Sequence, residues 1–347
     1  MKIALLGCGL VGGFIGAELI RGNRHEVFLY DNSKDNKLPE IKDRIEISDL
    51  SDPQQVAKIS SPVDLVVNAL PGHLGFQALK IALENDCHVV DFSFMPEDFR
   101  ALDSLAIKHN KTALVDFGFA PGLCHMLVAH QQRMLPRADS SVIWVGGLPQ
   151  DEADEYKAVF SPMDVIEEYT RVARFKKEGK ICTEDPFMTK YKNEYPAFIS
   201  DGLRSLLDFP IENIVEYTYR YEKHFNKIKK LKLAGEFKPG KLEKTAKKLI
   251  NDWKMPKDYK DLSVLSVETI KGDRTVIHRV VDKATDKHHS MARMTGIPVL
   301  AGIEIINREE LGSGIIVPEH ISFAAYRIVV SILEDYDIKI EAKMIRR

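Results

Sequence analysis

Three glycines near the N-terminus stand where a main chain would have to meet a diphosphate. They lie in Gly7-Cys8-Gly9-Leu10-Val11-Gly12, a G-x-G-x-x-G spacing in which each glycine has its own task. The first permits a tight turn, the second lets the backbone approach a pyrophosphate, and the third lets the next helix pack on the preceding strand. The start of that helix offers free N–H groups and the positive end of its dipole to the phosphates. The spacing alone is weak evidence, but here a strand-like run precedes it and a helical pattern follows, the context that gives it meaning. An acid is expected about 20 residues further on, and Asp31 lies 19 residues after Gly12, at the end of Val27-Phe28-Leu29-Tyr30. A carboxylate there accepts hydrogen bonds from ribose hydroxyls and repels a 2′-phosphate, so NAD is expected over NADP, with Lys34 as an opposing charge. Gly7, Gly9, Leu10, Val11, Gly12, Asp31 and the adjoining Asn32 are the residues this assigns to the cofactor.

The elements that must position this loop are visible as period. Lys2 to Leu6, Glu26 to Tyr30, Leu65 to Asn68, His88 to Phe92 and Thr112 to Val115 are short runs rich in Val, Ile and Leu, and predict buried strands. Leu10 to Arg21, Gly75 to Asn85 and Asp98 to His109 place apolar residues three and four apart, and predict helices between them. Such alternation implies an α/β fold, a doubly wound parallel sheet of the Rossmann type. Beyond residue 140 the strand-like segments lengthen: Val142 to Val145, Ile214 to Tyr221, Leu262 to Ile270 and Arg274 to Val281. They imply a second, α+β domain with a mixed or antiparallel sheet. Pro318 to Tyr336 predicts a helix with its proline near the start. The expected division is 1–124 for dinucleotide binding, 125–317 for substrate binding and dimerisation, and 318–347 for a C-terminal helix and strand packing back on the first domain.

At 347 residues, two domains are the natural expectation, and 44% apolar with 29% charged residues is ordinary for a soluble globular chain. A formal charge of -2 gives no general attraction to nucleic acid or anionic lipid, so neither is an expected partner. Cys8, Cys87, Cys124 and Cys182 form no C-x-x-C pair and resemble neither a disulfide framework nor a zinc cage. No metal is expected, and a reducing, cytoplasmic location fits. No apolar run reaches the roughly 18 residues of a membrane span. The lysine-rich stretches Lys227 to Lys232 and Lys241 to Lys254 read as solvated helix faces.

Further blocks carry more specific information. They are Asn68-Ala69-Leu70-Pro71-Gly72, Val90-Asp91-Phe92-Ser93-Phe94-Met95-Pro96-Glu97 and Gly118-Phe119-Ala120-Pro121-Gly122-Leu123. Later come Gly146-Gly147-Leu148-Pro149, Ser200-Asp201-Gly202-Leu203-Arg204-Ser205-Leu206-Leu207, and Tyr219-Arg220-Tyr221 with His224. In this order, over residues 1 to about 320, the chain resembles the saccharopine dehydrogenase-like family and most closely its lysine 6-dehydrogenase branch. Three positions separate it from the saccharopine reductases, which resemble it otherwise. They carry Asp where this chain has Ala120, Cys where it has Val145, and Tyr where it has Phe94. His125 departs the other way, since lysine dehydrogenases usually have Asn there.

Each block also has a physical reading. Asn68, Ala69, Leu70 and Pro71 leave a strand whose carboxyl edge borders the cofactor. Asp91 and Ser93 leave another and face the nicotinamide. Pro121-Gly122 starts a helix whose free N–H groups face a substrate or the cofactor amide. Turn chemistry alone is the competing account of all three.

The resemblance implies NAD-dependent oxidation at Cε of L-lysine, hydrolysis of the imine, and cyclisation of the semialdehyde. The alternatives are C–N chemistry of the saccharopine or carboxynorspermidine type, or an NAD-binding sensor without turnover. Hydride leaves only beside a free nitrogen lone pair, whereas a lysine amine has a pKa of about 10.4. The site must desolvate that amine or supply a base. His125, His224 and Asp116 are the three candidates, and Asp116 could equally cap its loop. Phe94 would wall the amine. Arg220, or else Arg204, would hold the amino-acid carboxylate in a two-pronged grip, unless either is an internal salt bridge. Two-fold pairing into a homodimer is the expected assembly.

Overall fold

The structure, a computed structural model, describes residues 1–35, 37–256, 258–308 and 311–346. The first strands are β1 (Lys2–Leu6), β2 (Glu26–Asp31), β3 (Ile45–Ile47), β4 (Leu65–Asn68), β5 (His88–Asp91) and β6 (Thr112–Leu114). Between and after them run α1 (Leu10–Gly22), α2 (Pro39–Lys42), α3 (Pro53–Ser60), α4 (Gly72–Glu84), α5 (Asp103–Lys108) and α6 (Leu123–Met134). All these strands pair in parallel, in the order β6-β5-β4-β1-β2-β3. The order reverses beside β1, and in such sheets a ligand lies at that reversal, outside the carboxyl ends. Every residue of β4 is buried, as is β1 after Lys2, which is why both read as unbroken apolar runs. Register then aligns Leu6 with Asn68 and Asn68 with Asp91, bringing three strand ends level.

The later strands are β7 (Ser140–Pro149), β8 (Ala173–Lys177), β9 (Lys180–Glu184), β10 (Tyr191–Lys192), β11 (Pro196–Ile199), β12 (Asn213–Tyr219), β13 (Asp261–Lys271) and β14 (Arg274–Lys283). With them come α7 (Pro162–Thr170), α8 (Glu222–Leu233) and α9 (Leu242–Asp252). The chain then forms α10 (Ser290–Asn307), β15 (Gly314–Ile316), α11 (Phe323–Asp335) and β16 (Glu341–Arg346). The second sheet is mixed. β12 and β7 are parallel, and the remaining pairs in the order β10-β11-β12-β7-β13-β14-β16 are antiparallel, with β8 and β9 branching from β12. β13 and β14 turn on Gly272-Asp273, with Gly272 at φ +57.

Two compact units result: 1–126 with 292–337, and 127–291 with 338–347. The domain division expected from sequence is corrected at its C-terminal half. The segment 292–317 joins the first unit because β15 adds in parallel to β6. α11 joins it too, through Ala325, Tyr326, Val329 and Leu333, and Tyr336 meets Phe14 edge to face at 6.0 Å. The final strand belongs to the second unit, where β16 pairs antiparallel with β14. α10 has no counterpart among the sequence expectations, since Pro298 inside it reads as a break. The helices expected at 98–109 and 318–336 each open as a 3-10 turn before the α-helix begins. Among the described residues, no helix is long and apolar enough to cross a membrane.

The second unit has its own aromatic core. Phe187 stacks on Phe198 at 4.0 Å and contacts Tyr169 and Phe225, with centroids at 4.9 and 5.1 Å. Phe187 is wholly buried in this cluster, so Phe187→Ala should lower the stability of this unit by about 3–5 kcal/mol in urea unfolding. A loss under about 1 kcal/mol would mean the cluster closes over the gap.

Candidate active site

The glycine loop is shaped as a cradle. Gly7 has φ +96, and a Cβ on it would lie 2.7 Å from the Ala69 carbonyl oxygen. A Cβ on Gly12 would lie 2.0 Å from the Gly7 carbonyl oxygen. Neither backbone can yield, so both glycines are fixed by contact. Gly9 has nothing within 4 Å of the same position, and that open side suits a pyrophosphate approaching the main chain. Gly9 is exposed and Leu10 half-buried, while Gly7, Val11 and Gly12 are buried. Asp31 is buried at the end of β2; its Oδ2 accepts the Cys8 N–H at 2.6 Å and its Oδ1 the Ser33 N–H at 3.1 Å. The acid is therefore tied to the glycine turn itself. Asn32 beside it is exposed. A nicotinamide dinucleotide fits these residues.

The ends of β4 and β5 do something other than expected. Asn68 is wholly buried; its Nδ2 donates to the Gly75 carbonyl at 3.0 Å and to Asp91 Oδ2. Asp91 Oδ1 accepts both the N–H and the hydroxyl of Ser93, each at 2.8 Å. A Cβ on Gly75 would fall 2.0 Å from Ser93 Oγ. Asn68, Asp91 and Ser93 thus lock the β4 and β5 loops to α4, a positioning task beside the cofactor contact expected of them. Ala69 packs against Gly7 and Gly12; Leu70 is buried and Pro71 exposed. Burial pushes the Asp91 carboxyl up to about 7, with the charge of Asp116 adding and the Ser93 and Asn68 hydrogen bonds opposing.

Phe94 is half-buried, its carbonyl against Gly72. Asp116 is buried at φ +59, just ahead of a loop with a cis Ala120–Pro121 bond, in which Pro121 is half-buried and Gly122 sits at φ +133. That loop corrects another expectation. The Leu123 and Cys124 N–H groups at the start of α6 donate to the carbonyls of Gly118 at 2.8 Å and Phe119 at 3.2 Å. The loop caps its own helix, so those donors do not await a ligand. His125 is wholly buried one residue further on, its Nδ1 3.3 Å from Glu319 Oε2. Burial works against its charged form, but Cys124 and the Glu319 carboxylate outweigh it and hold the imidazole well above its ordinary pKa. His125 is an internal ion-pair partner in this arrangement, not an open base. Glu319 was invisible to periodicity; it follows Pro318 in the 3-10 turn.

The second unit holds a cavity lined by Leu148, Pro149, Tyr156, Tyr221, His224 and Trp253. Charges of both signs complete it: Glu152, Asp154, Glu155 and Asp252 against Lys223 and Lys227. His224 Nε2 is 3.0 Å from the Tyr169 hydroxyl, and its ring lies 4.3 Å from that of Tyr156. Burial, then the charges of Arg220 and Lys227, hold His224 well below its ordinary pKa, so it is a neutral imidazole. Arg220 stands behind this wall. Its Nε donates to Tyr169 Oη at 2.7 Å, its Nη1 to the Tyr219 carbonyl at 2.8 Å, and its Nη2 to Glu168 at 2.9 Å. The rings of Tyr156, Tyr169 and Phe198 flank the guanidinium at 4.9 to 5.5 Å. The expected carboxylate clamp is therefore corrected to a buried ion pair, because a guanidinium taken out of water must be matched at once. Arg204 is half-buried at φ +44 and opens a 3-10 turn. Tyr156, Glu168, Tyr169 and Trp253 were missed by sequence reasoning, which had no motif to mark them. Among the described residues, no group of three His, Cys, Asp or Glu could hold a metal.

A parallel sheet with a glycine cradle at its reversal and an acid at the end of β2 defines a dinucleotide-binding α/β protein, here followed by a mixed-sheet unit. Residues 3–114 match the model of the saccharopine dehydrogenase NADP binding domain, and residues 118–338 that of the saccharopine dehydrogenase C-terminal domain. The chain belongs to the saccharopine dehydrogenase family. It is 28% identical over 174 residues to alpha-aminoadipic semialdehyde synthase of Arabidopsis thaliana, a stretch covering 47% of this chain and 16% of that protein. It is 25% identical over 169 residues to the saccharopine dehydrogenase (NADP(+), L-glutamate-forming) of Pyricularia oryzae, covering 46% of this chain and 37% of that one. Both matches span well under two thirds of the curated relatives. Among solved structures, apo saccharopine dehydrogenase (L-Glu forming) from Saccharomyces cerevisiae matches with TM-score 0.80 at 18% identity, covering 99% of each chain. C. glutamicum DAP dehydrogenase matches at 0.50 and 12%, covering 97% and 99%. At such identities the likeness is one of fold.

The raised pKa of Asp91 has a consequence for stability. A carboxyl whose folded pKa lies above its unfolded value, about 3.9, stabilises most below that value and loses the contribution as pH rises through about 7. Wild-type stability should therefore fall between about pH 4 and pH 7 relative to Asp91→Asn. Parallel denaturation curves across that window would show that Asp91 ionises freely.

Proposed function

We propose that the chain is an NAD-dependent amino-acid dehydrogenase oxidising the terminal amine of L-lysine. The cavity in the second unit carries this reading. It joins apolar and aromatic walls, a neutral histidine, and charges of both signs, which is the chemistry of a small molecule bearing both a carboxylate and an amine. Lys223 and Lys227 suit the carboxylate; Glu152, Asp154, Glu155 and Asp252 suit the α-ammonium group, which keeps its charge throughout. Ala120, Val145 and Phe94, apolar where the resembling saccharopine reductases are polar, favour a simple amine over a secondary amine with a second carboxylate-bearing arm.

Bound NAD would supply the hydride acceptor, and Gly7, Gly9, Gly12 and Asp31 would hold it. The protein's own part is proton handling. The amine must shed its proton before hydride leaves, and the walls formed by Tyr156, Tyr221 and Trp253 favour its neutral form by excluding water. His224, held neutral, does not take that proton, which passes to solvent water as the amine enters the site; it orients the amine through a hydrogen bond and is itself steadied by the Tyr169 hydroxyl that Arg220 grips. Activity on acidification therefore falls with the fraction of free amine, with no titration of His224. Two-fold pairing of chains completes the proposal, and a light-scattering mass of one chain would remove it.

The saccharopine-type reaction is the second reading, favoured by His125 and by the name of the Pyricularia oryzae relative. NADH absorbance on mixing the protein with NAD and L-lysine at alkaline pH separates the two. Growth with lysine alone supports lysine oxidation. Turnover only with NADH, an amine and a keto acid or aldehyde supports the second reading, and dinucleotide binding without turnover either way leaves a sensor. In the active case His224→Asn should lower kcat about a hundredfold through lost orientation while the acidic limb of the pH profile keeps its midpoint. A shifted midpoint would show that His224 titrates in the working range.

A further inference from the structure

His224 has two ring nitrogens, and the wall behind the cavity decides which of them carries the proton. Arg220 cannot turn, because its Nη1 donates to the Tyr219 carbonyl at 2.8 Å and its Nη2 to Glu168 Oε2 at 2.9 Å. Its Nε–H is thereby aimed at Tyr169 Oη, 2.7 Å away. A guanidinium only donates, so the tyrosine oxygen accepts here and its own O–H needs an acceptor. His224 Nε2 stands 3.0 Å from that oxygen. Tyr169 is wholly buried, so water does not compete for its proton. The hydroxyl of Tyr156, whose ring flanks the same guanidinium, meets no partner at hydrogen-bond distance and angle. Were His224 to donate through Nε2, the Tyr169 proton would be a buried donor without an acceptor, which folded proteins avoid. The bond therefore runs from the Tyr169 O–H to Nε2.

A neutral imidazole carries a single N–H proton. Burial, then the charges of Arg220 and Lys227, keep His224 neutral, so its proton sits on Nδ1. No hydrogen bond of the described residues engages Nδ1, and His224 lines the cavity.

We propose that Glu168, Arg220 and Tyr169 fix His224 as the Nδ1–H tautomer, so that the cavity meets its ligand with a donor and selects an end group bearing a lone pair. A free amine, an ether or a hydroxyl answers that donor; an ammonium, with no lone pair, does not. The inference rests on reading this cavity as the amine site and adds how that site screens protonation state. The bond is made on entry. As hydride leaves Cε the nitrogen lone pair passes into the C=N bond and the donor loses its acceptor. His224 thus acts on what enters, and Tyr169, Arg220 and Glu168 are positioning residues behind it.

The test is nitrogen-15 NMR of the whole chain labelled at histidine, with the His224 signals assigned by their loss in His224→Asn. Wild type should show Nδ1 protonated and Nε2 bare, and Tyr169→Phe should lose that preference. A wild-type ring protonated at Nε2, or at both nitrogens, at neutral pH overturns the proposal without recourse to a variant. Ligand selection is read by calorimetry, with NAD present, using 6-methoxy-L-norleucine and its all-carbon isostere L-2-aminooctanoate. The ether oxygen of the first stands for the lysine nitrogen and can only accept. Wild type should bind the ether about tenfold more tightly, and Tyr169→Phe should bring the two within about threefold. Equal binding by wild type, or binding of neither, overturns the proposal. An ether preference in a chain that forms no NADH from L-lysine would remove the lysine reading and leave this assignment standing.

Discussion

An ion moved from water into protein loses several kcal/mol of hydration, and only a partner at contact distance with its own hydrogen bonds restores it. Much of this molecule is arranged around that requirement. Arg220 is buried against Glu168, His125 against Glu319, and Asp31 against Lys37, while Asp91, lacking a cation, is wrapped by Asn68 and Ser93. Two of these pairs tie segments that are distant in sequence, Arg220 with Glu168 and His125 with Glu319. His125 and Glu319 are 194 residues apart, and their contact fastens the start of α6 to the segment before α11. Removing one member of such a pair strands the other and costs about 3–5 kcal/mol, so these residues are held in place by stability whatever their part in chemistry.

The same requirement explains how the second unit makes a neutral histidine. Arg220 is kept charged by Glu168 and by the faces of three rings, and its charge, with that of Lys227, then acts on His224 through the Tyr169 hydroxyl and the shared aromatic box. A buried cation nearby and little water together make imidazolium costly. Tuning by a fixed internal charge leaves the cavity wall free for a ligand. The arginine acts from behind the surface it serves, and so the most conspicuous cation of the unit is absent from the lining.

In the first unit the loops at the carboxyl ends of the strands are built backwards from what motif reading suggests. Asn68, Asp91 and Ser93 do not reach outward; they bond to one another and to Gly75, and the outward surface is left to backbone and small residues such as Gly9 and Ala69. The Pro121-Gly122 turn likewise spends its helix-start N–H groups on its own carbonyls. Polar side chains here make the loops rigid, and the main chain makes the ligand surface.

The cradle was legible in sequence because its constraint is local: the turn, the close approach and the strand–helix packing all fall within six residues, and Asp31 follows at the end of the next strand. The first sheet was legible because strands buried on both faces must be apolar throughout. Periodicity could not show that β15 would pair with β6, or that β16 would join β14 in the second sheet, since pairing between segments so far apart in sequence leaves no local pattern. Nor could it tell a ligand-holding Arg220 from an internally paired one. A guanidinium looks the same in sequence in both roles, and what decides is whether Glu168 and Tyr169, on a helix with no marking motif, arrive beside it. Sequence by itself determined which residue types were on hand for chemistry; only the tertiary structure decided which were consumed in neutralising one another, because the cost of a buried charge is set by neighbours that the chain brings together on folding.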